Sequence, residues 1–378
     1  MKKILFLTGT RADFGKIKSL IQILDKSSEF AVFIAVTGMH LQKEYGYTII
    51  EIERCGFKNI HSFSNHTDET TMDLTLAKTI EGLSAHVKNR RPDMIVVHGD
   101  RVETLAGAIV GSLNNILVAH IEGGEVSGTV DELIRHSVSK LSHIHFVSNE
   151  AAGKRLLQMG EIQKSVFVIG SPDIDIMFSD NLPDFDTAKK YYNIKFQDFA
   201  IAMFHPVTTE ADDIARYAES FTKALLDDNH NYVVIYPNND LGSRAILSSY
   251  KKLINNPRFR LFPSLRFEYF LTLLKNAKFI IGNSSAGIRE APYYGIPIIN
   301  IGTRQHNRTV HSDIIHVGYT KKSILQALAT IDSYTISSQK EDFGAGNSAI
   351  LFLNSLKNTD IWQLNHQKQF NDINYNEN

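Results

Sequence analysis

Apolar residues along the chain fall into short unbroken runs, separated by longer stretches where they recur every third or fourth position. The runs Ile4–Thr8, Ala31–Thr37, Met94–His98, Leu117–Ile121, Ile144–Val147 and Val166–Ile169 read as strands in the first part. They are continuously apolar instead of alternating, as expected for parallel strands covered on both faces. Between them, Asp73–Lys88, Val102–Leu113, Asp131–Leu141 and Glu150–Met159 have helical spacing. A polar, acidic stretch from Asp180 to Asp186 then reads as a linker or interdomain helix. A second series follows, with strands at Ala200–Phe204, Tyr232–Tyr236, Arg260–Phe262, Phe279–Ile281 and Ile298–Ile301. Its helices are expected at Asp212–Leu226, Phe267–Asn276, Ala286–Tyr294 and Lys321–Ile331. Strand–helix alternation of this kind predicts βαβ units and an α/β fold of two Rossmann-like domains facing a central cleft. The expected boundaries are 1–172, 173–360 and a tail at 361–378, in which Ile361–Phe370 reads as a docking helix.

Composition narrows the function. The chain has 378 residues with 40 Lys and Arg against 41 Asp and Glu, a net charge of -1, which lacks the basic footprint of a dedicated nucleic-acid binder. Cys55 is the single cysteine, so no intramolecular disulfide can form and a Cys-based zinc site lacks the further thiolates it needs, which fits a cytoplasmic protein. No apolar stretch reaches the ~20 residues of a membrane helix. The apolar run after Lys2-Lys3 is cut short by Arg11 and Asp13, so it reads as a buried first strand and not as a signal peptide.

In open α/β sheets ligands gather at the carboxyl ends of strands, so the residues after each run carry the chemistry. Gly9-Thr10-Arg11-Ala12-Asp13-Phe14-Gly15 follows the first; Gly9 and Gly15 permit close backbone approach and Arg11 offers a fork for phosphate or carboxylate. GxGxxG is absent, which removes the main support for dinucleotide chemistry. Gly282-Asn283-Ser284-Ser285-Ala286-Gly287 lies between a strand and a helix, where small residues and hydroxyls suit a diphosphate. Glu290 follows at a distance suited to ribose hydroxyls, and Asn238 and Arg304 follow two further strands. Either serine alone is equally an ordinary helix cap.

His98-Gly99-Asp100-Arg101 and His120-Ile121-Glu122-Gly123-Gly124-Glu125 end adjacent strands, and Asp131 opens the next helix. Carboxylates held close perturb one another, which suits acid–base work near neutrality. Asp131 is also explained as a carboxylate complementing the helix dipole. His98 and His120 are candidate metal ligands, but HxxxH and HExxH spacings are absent, so no metal site is assigned. His205 ends the first strand of the second series, where it suits either a structural or a phosphate-binding role.

Taken together, these segments resemble the hydrolysing UDP-N-acetylglucosamine 2-epimerases, specifically the bacterial sialic-acid-pathway branch. The likeness rests on Thr8–Asp13, Thr37-Gly38-Met39-His40, His98-Gly99-Asp100-Arg101, Ile121-Glu122-Gly123-Gly124-Glu125, Ile134-Arg135-His136-Ser137, Gly282-Asn283-Ser284-Ser285 and Gly302-Thr303-Arg304-Gln305. The resemblance implies a GT-B arrangement and Asp100, Glu122 and Asp131 as catalytic carboxylates. It implies that Arg11, Gly15, Arg101, His205, Asn238, Ser284, Ser285, Glu290 and Arg304 hold UDP. It further implies a UDP-sugar substrate, no cofactor and a homodimer. His205 is followed by Pro206-Val207-Thr208 instead of an Arg-rich segment, which favours the hydrolysing branch. The alternatives are a UDP-N,N'-diacetylbacillosamine 2-epimerase, a GT-B glycosyltransferase and a non-catalytic nucleotide-sugar sensor.

Overall fold

The computed structural model describes residues 1–67, 71–127, 130–305, 313–336 and 343–372. The chain forms two compact units: Met1–Glu125 with Asp131–Ser179 and Asp342–Asn378, and Val126–Val130 with Asp180–Glu341. The acidic stretch at Asp180 therefore does mark a crossing between units.

The first unit holds seven strands: β1 (Lys2–Thr8), β2 (Phe30–Val36), β3 (Ile60–Ser62), β4 (Met94–His98), β5 (Leu117–Ile121), β6 (Ile144–Val147) and β7 (Val166–Val168). They lie in the order β3-β2-β1-β4-β5-β6-β7, every neighbouring pair parallel. Strand order reverses between β1 and β4, so the turns after these two strands diverge and leave the crevice where α/β sheets bind ligands. β1, β4 and β5 are buried along nearly their whole lengths, which is why their sequences run apolar without alternation.

The second unit repeats the plan with β8 (Ala200–Met203), β9 (Tyr232–Ile235), β10 (Phe259–Phe262), β11 (Ile280–Gly282), β12 (Ile298–Ile301) and β13 (Ile314–Val317), in the order β10-β9-β8-β11-β12-β13, all parallel. Its reversal falls between β8 and β11. Each unit has its own core, one around Phe6, Val96 and Phe146, the other around Phe204, Phe221 and Phe279.

Two strands escape the apolar-run criterion. β3 is a three-residue edge strand and mostly exposed, and β13 covers only part of its surface, so neither needs a fully apolar run. The helix expected over Ala286–Tyr294 is shorter: it spans Ala286–Arg289 and a 3-10 turn continues at Ala291–Tyr294, because Pro292 offers no amide to continue the helical ladder. The tail differs most. Instead of a helix over Ile361–Phe370, the chain returns to the first unit through a helix at Ser348–Lys357 and a 3-10 turn at Thr359–Gln363. Phe352 is fully buried there, 4.7 Å from the Phe146 ring and 6.4 Å from Phe6. Burying a side chain of that size is worth about 1.5–3 kcal/mol. Beyond it Lys368 donates to the carbonyl of Lys140 (2.9 Å) and to Glu161 (2.5 Å), and His366 to the carbonyl of Asn115 (2.6 Å), anchoring non-helical backbone by polar contacts. The first unit thus regains the chain at Asp342, ahead of residue 361, and releases it at Ser179, beyond residue 172.

Candidate active site

The turn after β1 starts a helix directly. Thr10 caps Arg11–Asp25, its hydroxyl accepting from the Asp13 amide at 3.1 Å. Asp13 turns its carboxylate back: Oδ2 accepts from the Thr8 hydroxyl (2.6 Å) and the Gly9 amide (3.2 Å). Oδ1 is left to meet His98 Nδ1 at 2.7 Å, across the strand-order reversal from the end of β4. His98 Nε2 lies 3.3 Å from Glu122 Oε2 at the end of β5. The hydroxyl of Ser171 donates to the other Glu122 oxygen.

Glu122 sits at φ +65, a left-handed conformation that non-glycine residues adopt at a cost of about 1–3 kcal/mol. Its amide donates to the carbonyl of Phe146 at 2.9 Å, which keeps it there. The unusual backbone directs a buried carboxylate toward His98 and Ser171.

Asp100 is paired with Arg135, which is almost completely buried on the helix Val130–Leu141. Arg135 also donates to the Glu122 carbonyl at 2.7 Å and lies 3.8 Å from Glu125. One guanidinium therefore ties together the ends of β4 and β5. Asp131 lies one helical turn before Arg135, and residues four apart share a helix face. The three predicted carboxylates thus gather around one helix and two strand ends. The expected mutual repulsion among them is not how they are held. Arg135 sets a buried positive charge beside Asp100, and His98 lies between Asp13 and Glu122.

The neighbouring histidines behave differently. Burial pushes His120 down to about 3, its nitrogens lying 2.8 Å from the Gly99 carbonyl and 3.1 Å from the Ser139 hydroxyl. Burial likewise pushes His40 down to about 4, between the hydroxyls of Thr8 and Thr48. Both stay neutral in the folded protein yet take up protons near pH 6.5 once unfolded. Their linkage destabilises the fold as pH falls from about 6.5 toward 4. Thermal unfolding followed from pH 7.5 to 4.5 is expected to show a falling midpoint, and His120→Asn a smaller fall than the parent. An equal fall in both would exclude His120 as a source.

The other first-unit residues singled out from sequence are differently placed. Arg11 is ion-paired to Glu51 on the helix Ile49–Arg54. Gly15 is buried within the helix Arg11–Asp25, not in the preceding turn. Arg101 donates to Glu103 at 3.2 Å, and a Cβ on Gly9 would meet that same Glu103 side chain at 2.9 Å. His98 and His120 direct their nitrogens at carboxylates, a carbonyl and a hydroxyl. Among the described residues no group of three or more His, Cys, Asp or Glu is arranged to hold a metal ion.

In the second unit the ends of β8 and β11 meet in the same fashion. The Asn283 side chain bridges both ways to His205, accepting from its amide at 2.6 Å and donating to its carbonyl at 2.8 Å. The amide of Asn238 donates to His205 Nδ1 at 3.1 Å, so the neutral ring carries its proton on Nε2. Arg304 and Gln305 both donate to the Asn283 carbonyl, at 3.3 and 2.9 Å. Gly282 has φ +138, and a Cβ there would lie 1.8 Å from the Met203 carbonyl oxygen, so only glycine lets β11 turn this close to β8. The Ser284 hydroxyl accepts from the Ala286 amide at 3.3 Å, and Ser285 precedes the short helix Ala286–Arg289. Glu290 is buried just after it. His205, Asn238, Ser284, Ser285 and Arg304 thus lie on the turns after β8, β9, β11 and β12, four neighbouring strands of one sheet.

Sequence reasoning did not assign a role to Asp13, Arg135, Asn283 or Gln305. Each had a signal: Asp13 is the third residue of a capped helix, Arg135 lies four residues after Asp131, and the other two adjoin assigned residues.

Paired parallel sheets of this order, each with polar side chains gathered where its strand order reverses, define a protein of two Rossmann-like units. The family model described as UDP-N-acetylglucosamine 2-epimerase matches residues 22–357. The chain belongs to that family. It is 48% identical over 377 residues to a UDP-N-acetylglucosamine 2-epimerase of Neisseria meningitidis, covering 99% of this chain and 100% of the relative. It is 34% identical to a hydrolysing UDP-N,N'-diacetylbacillosamine 2-epimerase of Legionella pneumophila, covering 87% and 88%. It is also 34% identical to the polysialic acid biosynthesis protein P7 of Escherichia coli, covering 87% and 85%. Among solved structures, the UDP-GlcNAc 2-epimerase of Methanocaldococcus jannaschii with UDP-GlcNAc and UDP superposes with a TM-score of 0.80 at 23% identity, covering 94% of this chain and 99% of that one, which supports the GT-B-like fold. No helix among the described residues is long and apolar enough to cross a membrane.

Proposed function

We propose that this chain is a hydrolysing UDP-N-acetylglucosamine 2-epimerase, converting UDP-N-acetylglucosamine and water to N-acetylmannosamine and UDP for sialic acid synthesis. The observation that carries the reading is the guanidinium of Arg135, which pairs with the Asp100 carboxylate and holds the main-chain carbonyl of Glu122, so that the ends of β4 and β5 that carry both carboxylates are tied together, with Asp131 a turn away on the same helix. The C2 proton of the sugar has no adjacent carbonyl to acidify it, so direct abstraction is too slow. Elimination avoids that barrier: a carboxylate takes the C2 proton as the C1–O bond to UDP breaks, leaving 2-acetamidoglucal. Water then adds at C1 while a proton is delivered to the other face of C2. Two proton transfers on different faces call for more than one carboxylate. Asp100 is assigned as the first base, with Glu122 and Asp131 serving the hydration step.

The leaving diphosphate needs its developing charge stabilised. The second unit offers the Nε2–H of His205, the guanidinium of Arg304 and the small-residue turn at Ser284–Ser285. Arg11, Gly15, Arg101, Asn238 and Glu290 complete the proposed UDP contacts. The identity of 48% to a UDP-N-acetylglucosamine 2-epimerase against 34% to the diacetylbacillosamine enzyme favours N-acetylglucosamine as the sugar.

Incubation with UDP-N-acetylglucosamine in heavy water, followed by proton NMR, tests the whole reading. Free N-acetylmannosamine with one deuterium at C2 is expected. UDP-N-acetylmannosamine as the end product would identify a non-hydrolysing enzyme, and retention of the original C2 hydrogen would exclude elimination. Turnover of UDP-N,N'-diacetylbacillosamine alone would transfer the assignment to that sugar.

A further inference from the structure

Asp13, His98 and Glu122 come from the turn after β1, the end of β4 and the end of β5, and form one row, His98 and Glu122 buried and Asp13 partly so. His98 Nδ1 is 2.7 Å from Asp13 Oδ1 and Nε2 is 3.3 Å from Glu122 Oε2. A neutral imidazole has one N–H and can donate to one carboxylate only. Two carboxylates facing its two nitrogens match an imidazolium. We infer that His98 is a positioning residue of the epimerase site, held as a cation between Asp13 and Glu122, so that Glu122 meets the sugar as an oriented carboxylate and not as an acid. This rests on the reading of Glu122 as a reacting group.

The surroundings support it from every side. Burial pushes the His98 ring down, but Glu122 and then Asp13 outweigh it and raise it to about 9. Asp13 is itself fixed by the Thr8 hydroxyl and Gly9 amide, with neutral His40 behind Thr8 and Arg11 on the same helix. His120, on β5, meets the Gly99 carbonyl and burial keeps it neutral, and Arg135 grips the Glu122 carbonyl and Asp100. His98 is therefore the cation among three neighbouring imidazoles, each state set by its partners. The Thr104 hydroxyl donates to the His98 carbonyl at 2.8 Å and holds the backbone at the strand end. The raised value falls through about pH 9, above which Glu122 would lose its cationic partner.

Two measurements on the full chain test the inference. In a long-range nitrogen–proton NMR spectrum of histidine-labelled protein at pH 7.5, the signal that vanishes in His98→Gln should be an imidazolium, both nitrogens protonated. It should titrate near pH 9, and at lower pH in Asp13→Asn. In turnover of UDP-N-acetylglucosamine, kcat should lose activity above about pH 9. His98→Gln should lower kcat by roughly 10²-fold with KM little changed, and abolish that alkaline limb. Asp13→Asn, should His98→Gln not fold, is expected to move the limb downward. A neutral His98 at pH 7.5, or an alkaline limb untouched by Asp13→Asn, would overturn the inference in a working enzyme. Absence of any UDP-sugar turnover by the parent would instead remove the activity reading, and with it a catalytic purpose for the row.

Discussion

Asp100→Asn is expected to lower turnover of UDP-N-acetylglucosamine by about 10²–10⁴-fold while leaving UDP affinity nearly unchanged. The side chain is partly exposed at the end of β4 and already rests on Arg135, so the amide fills the same volume without a new cavity. What it loses is the capacity to accept a proton and the ion pair with the buried Arg135, so a lower unfolding midpoint should accompany the loss of turnover. UDP affinity, measured by calorimetry, separates the two outcomes: a parallel loss of affinity and turnover would make Asp100 a structural residue. Glu122→Gln should lower turnover similarly, since its oxygens meet His98 and Ser171 and an amide cannot accept at both.

Arg135→Met should have the largest effect on the fold. The guanidinium is 2% exposed and contacts Asp100, the Glu122 carbonyl and Glu125. Removing one partner of a buried ion pair typically costs about 3–5 kcal/mol, because the other charge is left without compensation. A markedly lower unfolding midpoint is expected, together with loss of activity. The double variant Arg135→Met with Asp100→Asn should recover part of that stability, since it also removes the stranded charge. No recovery would mean that the Arg135–Asp100 pairing is not the source of the cost.

The strands of both sheets were legible because burial on two faces writes itself as unbroken apolar runs, and this held for β1, β4, β5, β8, β9 and β12. It did not hold where a strand needs only one neighbour or little cover, as at β3 and β13. The helix Ser348–Lys357 went unseen for another reason: its docking partners, Phe6 and Phe146, lie hundreds of residues earlier, and local spacing carries no record of them.

For the candidate residues, the placement of Asp100 and Glu122 at neighbouring strand ends of the first unit, and of His205 at a strand end of the second, was legible, since the topology of each sheet alone sets its own strand ends side by side. The pairing of charges was not legible. Nothing local marks Asp13 as the partner of His98, 85 residues away, or Arg135 as the partner of Asp100, 35 residues away. Such pairs exist only once the turns after β1, β4 and β5 stand side by side.

The late return of the chain has a consequence for biogenesis. During synthesis the segment from Asp180 to Glu341 leaves the ribosome with its own core complete, while the earlier-made sheet still lacks Phe352, Leu356 and Ile361. The half of the protein translated first is therefore the half finished last. It waits with an uncovered apolar face until Phe352, Leu356 and Ile361 have been made, a window in which a chaperone that binds apolar surface would act on it and spare its neighbour.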